Sequence, residues 1–88
     1  MNTNLIPKRD PSCDEEVLEG EIVLYCSTVA KAVYLNPSAA LVWRLIDGRR
    51  SVGEIEALLT GAYPEAATLR EELIETVQAL QEQGVIHF

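Results

Sequence analysis

The fold is decided between Lys31 and Gly48, where the sequence reads KAVYL-NPSAALVWRLID-G. The first five residues are typical of a short strand. Asn36 is a good helix N-cap, and Pro37 follows at the first helical position, where its missing N–H costs nothing. The helix is expected to run to Asp47 and to stop at Gly48 in a left-handed conformation. The stretch therefore marks the change from strand to helical character.

Upstream of this stretch, two short strands are expected to fold about Gly20. They are Glu16–Glu19 and Glu21–Cys26, and a turn then leads into a third strand, Lys31–Leu35. Consecutive strands joined by short turns pair antiparallel. Residues 1–15 contain two prolines and few apolar side chains, which predicts a flexible N-terminal arm before a domain of residues 16–88.

Downstream, two more helices are expected, each opened by a capping box and each closed by a glycine. The residues are Ser51, Glu54 and Gly61 for the second helix, and Thr68, Glu71 and Gly84 for the third. Val85–Phe88 is compatible with a closing strand or a tail. The sequence thus predicts an α+β, winged-helix-like fold, with a three-stranded antiparallel sheet followed by three helices.

Charge and composition narrow the function classes. The 88 residues carry 14 acids and 7 bases, and adjacent bases occur only as the two pairs Lys8–Arg9 and Arg49–Arg50. Nucleic-acid binding requires clustered cations, so neither a nucleic acid nor an anionic membrane is expected as a partner. No export signal or membrane-spanning run is visible, which predicts a cytoplasmic protein.

The sequence offers no constellation for catalysis and no ligand set for a metal or cofactor. His87 is the only histidine and stands next to the C-terminal residue, where a rigid catalytic site is difficult to build. Cys13 and Cys26 are too far apart for a zinc pair and are expected to be reduced thiols. They are also symmetric about the turn at Glu19–Gly20, so a cross-strand disulfide is the alternative.

A surface argument points to a peptide partner. An edge strand offers unpaired N–H and C=O groups to an incoming chain. Ile74 lies off the core stripe of the third helix, on a shoulder with Arg70 and Gln81 and close to Val77. If the third strand runs beside this shoulder, the two form a groove suited to β-strand addition. The alternative is that Ile74 simply packs against a neighbouring strand.

The segment Val33–Ile55 resembles the PqqD-like family. In that family a Leu-Asn-x-x-Ala segment leads through a helix to Asp-Gly, and then to a helix beginning Ser/Thr-Val-x-Glu-Ile. This chain has Leu35–Ala39, Asp47-Gly48 and Ser51–Ile55 in the same order. Tyr63-Pro64 and the ending Leu80–Ile86 also agree, so the resemblance covers roughly residues 16–88.

The resemblance implies a peptide chaperone, or recognition element, for ribosomally synthesised and post-translationally modified peptides (RiPPs), with no catalytic activity or cofactor. Such proteins bind the leader region of a precursor and present it to a modifying enzyme, of radical-SAM, cyclodehydratase or leader-peptidase type. The leader adds beside the third strand, against the third helix. The implied contacts are Lys31, Ala32, Val33, Tyr34, Leu35, Arg70, Ile74, Val77, Gln78 and Gln81.

Several alternatives stay open at this point. Members devoted to pyrroloquinoline quinone (PQQ) show Leu-Leu-x-Pro-Glu before the third strand, where this chain has Leu24–Thr28, so PQQ and another modified peptide are both possible products. A winged-helix DNA-binding regulator shares the fold but requires a basic recognition helix. An adaptor that docks an enzyme without binding free peptide is the third possibility. The exposed sheet edge and the N-terminal arm permit a monomer or a strand-swapped dimer.

Overall fold

The computed structural model describes residues 1–88 and confirms the predicted α+β, winged-helix-like plan. The elements are β1 (Lys8–Arg9), β2 (Cys13–Leu18), β3 (Glu21–Cys26), β4 (Lys31–Leu35), α1 (Pro37–Leu45), α2 (Val52–Ala62), α3 (Leu69–Glu82) and β5 (Ile86–His87). Strands β2, β3 and β4 form an antiparallel sheet in that order, and β1 pairs with β5 in a separate two-stranded sheet. Helix α1 packs on β3 and β4, and α3 packs against α1, α2 and β5. All three helices and the buried face of the larger sheet share one core, which includes Trp43 and Ile55.

The β2–β3 hairpin turns at Glu19–Gly20, as predicted. Both residues have positive φ angles, 43° and 88°, which suits a two-residue turn between twisted strands. Strand β2 starts at Cys13, so the predicted boundary between residues 15 and 16 falls inside it.

The hairpin register places Cys13 opposite Cys26, and the two are joined as a disulfide. The structure therefore contradicts the expectation of two reduced thiols and agrees with the alternative, a cross-strand disulfide. The physical reason is the symmetric turn, which brings the two side chains to the same face of the sheet. Cys26 is buried and Cys13 packs partly against the core.

The N-terminal segment makes specific contacts, although its sequence predicted a flexible arm. The amides of Val52 and Gly53, which begin α2 and have no partner within the helix, donate to the carbonyl oxygens of Leu5 and Thr3 at 2.9 and 2.8 Å. Pro7 is buried, and β1 pairs with β5. The segment thus caps one helix and completes a second small sheet.

Helix ends follow local side-chain chemistry. The Asn36 side chain accepts a hydrogen bond from the Ala39 amide at 2.9 Å, and the Ser51–Glu54 capping box forms. Helix α1 ends at Leu45, two residues earlier than expected, because the Asp47 carboxylate accepts the amides of Arg49 and Arg50 in a turn. The same backbone hydrogen bonds lower the pKa of Asp47.

The end of α2 and the start of α3 also differ from the prediction. Helix α2 continues through Gly61 to Ala62. At α3, no capping box forms; the Thr68 hydroxyl donates to the Glu72 carboxylate at 3.1 Å instead of capping a backbone amide.

A substitution of Gly84 is expected to destabilise the protein. Gly84 has a φ of +79°, and an added Cβ would lie 2.7 Å from Cγ1 of Val29. Because of the left-handed backbone at this position and the overlap with Val29, Gly84→Ala is expected to lower the free energy of unfolding by about 1–2 kcal/mol, as measured by urea unfolding. Gly61→Ala is the matched control, because Gly61 is helical and has no neighbour within 4 Å of an added Cβ. It should stabilise the protein slightly, and equal effects of the two substitutions would contradict the argument.

Candidate functional site

An open groove runs between the free edge of β4 and helix α3. Its volume is about 450 Å³. One wall is β4 with the start of α1, and the other is a single stripe of α3. The lining residues are Val33, Tyr34, Leu35, Asn36, Ser38 and Ala39 on the first side, and Glu72, Glu75, Thr76, Ala79, Leu80 and Gln83 on the second.

The register identifies which backbone groups of β4 face the groove. The Cα atoms of Cys13 and Cys26 are 4.0 Å apart, the close spacing of an antiparallel pair that exchanges no hydrogen bonds. Hydrogen-bonded and non-hydrogen-bonded pairs alternate along an antiparallel ladder. Carried across β3, this alternation means that the amides and carbonyls of Lys31, Val33 and Leu35 face β3. Those of Ala32 and Tyr34 point to the free edge. The groove is therefore bordered by two unpaired donors and two unpaired acceptors.

The strand half of the predicted site lies where it was expected. Val33, Tyr34 and Leu35 line the groove, and Ala32 contributes its edge groups. Lys31 stands at one end, where its Nζ donates to Oε1 of Gln83 on α3 at 2.6 Å. This hydrogen bond joins the two walls.

The structure does not bring the helix half of the predicted site to the groove. Arg70 forms an ion pair with Glu56 of α2 at 3.7 Å, Ile74 is half-buried, and Val77 is fully buried in the core. Gln78 and Gln81 are exposed but do not line the groove. Two residues along a helix correspond to a rotation of about 200°, so Ile74 and Gln81 face nearly away from Glu72 and Ala79.

The helical wall that sequence reasoning missed is a stripe of small and polar residues. Thr76 and Ala79 are short, which leaves room beside β4, and Glu72, Glu75 and Gln83 flank them. The signal was present as the spacing 72, 75, 76, 79 and 83, which follows one helix face. An apolar shoulder is a misleading signal for such a wall, because an open groove requires small side chains.

The groove and the outer face of the sheet are acidic. Glu72 and Glu75 lie on the helical wall. On the outer face, the hydroxyl of Tyr34 donates to Glu21 at 2.8 Å, which raises the pKa of Tyr34. Tyr25 donates to Glu16 at 3.2 Å with the same effect on its pKa. This electrostatic environment favours a peptide with basic residues over a nucleic acid.

A cluster of polar side chains elsewhere holds the chain termini together. His87 Nε2 lies 2.8 Å from Oδ1 of Asp10, and the hydroxyl of Ser12 donates to Oδ2. Because Ser12 contacts the carboxylate and not the histidine, the cluster lacks the order of a nucleophile and its base. No group of three or more histidine, cysteine and acidic side chains is arranged to hold a metal ion.

These contacts predict a measurable dependence of stability on acid. The Ser12 hydroxyl, and then His87, lower the pKa of Asp10 from 3.8 to about 2. A carboxylate with a lowered pKa stabilises the fold above its unfolded pKa, and this contribution is lost as pH falls toward 2. When urea unfolding is measured between pH 6 and 2, the free energy of unfolding should fall more steeply with decreasing pH for the wild type than for Asp10→Asn. Asp14→Asn, at an exposed carboxylate on β2, should retain the wild-type slope; a wild-type slope in Asp10→Asn would contradict the assignment.

Comparison with known proteins places this geometry in a family. The model of the family described as Coenzyme PQQ synthesis protein D (PqqD) matches residues 21–86. The chain belongs to the PqqD family. A family member from Klebsiella pneumoniae, named PqqA binding protein, is 38% identical over 69 residues, which are 78% of this chain and 72% of the relative. Another protein of that name, from Stutzerimonas stutzeri (strain A1501), is 37% identical over 62 residues, 70% and 64% of the two chains.

A solved structure of much lower sequence identity shows the same fold. TbiB1, determined in complex with the TbiA(beta) leader peptide, superposes with a TM-score of 0.78 at 17% identity and covers 91% of this chain and 94% of its own. None of the helices here combines the length and apolar character that crossing a bilayer requires. The family model and the two relatives confirm the family resemblance drawn from the sequence motifs, and TbiB1 shows the same fold.

Proposed function

We propose that this PqqD-family protein binds the leader region of a ribosomally made precursor peptide and presents it to a modifying enzyme, without catalysing a reaction itself. The observation that carries the proposal is the free edge of β4, where Ala32 and Tyr34 offer backbone donors and acceptors to an open groove. A peptide that adds there as a fourth strand satisfies these groups and places alternate side chains against α3.

Two comparisons support the proposal. Relatives with more than a third of their aligned residues in common are named for binding PqqA, and the TbiB1 fold was captured with a leader peptide. The strand contacts are Lys31–Leu35, as the sequence suggested. The helix contacts in the proposal are Glu72, Glu75, Thr76, Ala79 and Gln83, which replace the five residues inferred from the sequence.

The enzyme partner and the location belong to the same proposal. A radical-SAM enzyme, a cyclodehydratase or a leader peptidase would receive the peptide in the cytoplasm, where ribosomal precursors are released. The rival DNA-binding function is disfavoured, because α3 carries Glu71, Glu72, Glu75 and Glu82 against the single cation Arg70. An adaptor without peptide affinity would leave the open edge of β4 without a function.

The test is an amide-resolved NMR titration of the whole protein. The probes are PqqA of Klebsiella pneumoniae and the leader peptides of other candidate precursors, with a random DNA duplex as the control. Shifts concentrated on Lys31–Leu35 and on the Glu72–Gln83 face, with the duplex inert, are the expected result. Shifts caused by DNA alone would favour a regulator, and a response only to an intact enzyme would favour an adaptor.

A further inference from the structure

A second, more apolar cavity lies between the three helices. It has a volume of about 380 Å³, at the lower end of the range for small-ligand pockets. Its apolar lining comes from α1, α2, the loop after α2 and the start of α3. These residues include Leu41, Leu59, Tyr63, Ala66, Leu69 and Leu73.

This apolar cavity adjoins the β4–α3 groove. Ser38, Glu72 and Thr76 line both of them. Because β4 passes directly into α1 after Asn36, the common residues lie near the Leu35 end of the groove. A strand laid along β4 leaves the groove at this end, and its next residues reach the mouth of the cavity.

No segment of this chain is placed to fill the cavity. The N-terminal segment carries exposed Leu5 and Ile6, but its backbone is held at the start of α2 through Val52 and Gly53. The C-terminal segment is held by β1. Neither segment contributes a residue to the lining. Within residues 1–88, therefore, no segment of the chain covers the cavity.

We infer that the apolar cavity is an anchor subsite for the same leader peptide, which takes one large apolar side chain, such as leucine, isoleucine or phenylalanine, from the residues that flank the bound strand. The inference rests on the proposed function and adds a sequence requirement to it. Glu72 lines both the groove and the cavity, so its negative charge favours a basic or neutral residue beside the anchor over an acidic one. Affinity then depends on side-chain burial as well as on the backbone pairing along β4.

The test combines peptide and protein variants. In the leader peptide that gives the largest groove shifts, each large apolar residue is replaced by serine in turn, and affinity is measured by calorimetry. One replacement, just outside the strand segment, should weaken binding by about 10- to 100-fold, the effect of losing one buried apolar side chain. N-acetyl-L-leucinamide, titrated alone, should shift the methyl signals of Leu41, Leu59 and Leu69, and N-acetyl-L-serinamide should not.

Ala66→Phe is the blocking variant, because Ala66 is exposed and lines the cavity. Ala67→Phe is its matched control, at an exposed neighbour outside the lining. We expect Ala66→Phe to lower the affinity for the unmodified leader to that of the wild type for the serine-substituted leader, and to abolish the shifts caused by N-acetyl-L-leucinamide. Ala67→Phe should change neither. Equal binding by wild type and Ala66→Phe would overturn the anchor subsite and leave the proposed function intact. Failure of every leader to bind the wild type would overturn both.

Discussion

An Ala32→Pro, Tyr34→Pro double variant is expected to bind a leader peptide about 100-fold more weakly than the wild type. The two substitutions remove the only β4 amide donors that the register directs to the groove. Each leaves an incoming carbonyl without a partner and sets a proline ring in its path. Losses of about 1–2 kcal/mol at each position sum to this change in affinity. Calorimetry against the leader identified by titration measures the effect.

The fold should survive both substitutions, because proline is tolerated on edge strands whose N–H points to solvent. The amides of Lys31, Val33 and Leu35, which face β3, are untouched. Val17→Pro is the matched control: Val17 is 53% exposed, and the same register directs its amide away from β3 at the opposite sheet edge, on β2. It should retain wild-type affinity. If the double variant, folded by circular dichroism, bound as tightly as Val17→Pro, strand addition at β4 would be wrong.

Much of the fold could be predicted because its boundaries depend on local chemistry. The bounds of β3 and β4 agree with the prediction, since turn residues with positive φ and the Asn36–Pro37 helix start define them. The β1–β5 pair could not be predicted. It joins two-residue strands separated by more than seventy positions, and neither strand has a pattern of its own.

The candidate site was predicted only in part, for a related reason. The strand wall follows from backbone topology, which the order of elements fixes. The helical wall depends on how far α3 is rotated against the sheet, and that rotation is set by the burial of Leu73, Val77 and Leu80 together. With these three in the core, the face of Thr76 and Ala79 turns to β4 and Ile74 turns away from it. A single off-stripe apolar residue was therefore a poor guide to the groove.

One buried side chain links the unexpected N-terminal segment to the predicted core. Trp43 on α1 is 1% exposed, and its Nε1 donates to Oε1 of Glu15 on β2 at 2.7 Å. Arg9 of β1 donates to the same carboxylate oxygen at 2.9 Å and to the Trp43 carbonyl at 2.8 Å, and its guanidinium lies 4.8 Å from the ring centroid. The indole therefore packs in the core and also holds β1 and β2 to α1.

Trp43→Ala is accordingly expected to cost about 3–5 kcal/mol of unfolding free energy, a large fraction of the stability of a domain this small. Trp43→Phe retains most of the apolar volume but removes the donor to Glu15, so a loss of about 1–2 kcal/mol is expected. Urea unfolding measures both. Since Trp43 does not line the groove, folded Trp43→Phe should bind leader peptide like the wild type. Equal losses in the two variants would show that the hydrogen bond, and not the packing, is the main contribution of Trp43, because only the alanine variant also leaves a cavity between α1 and the sheet.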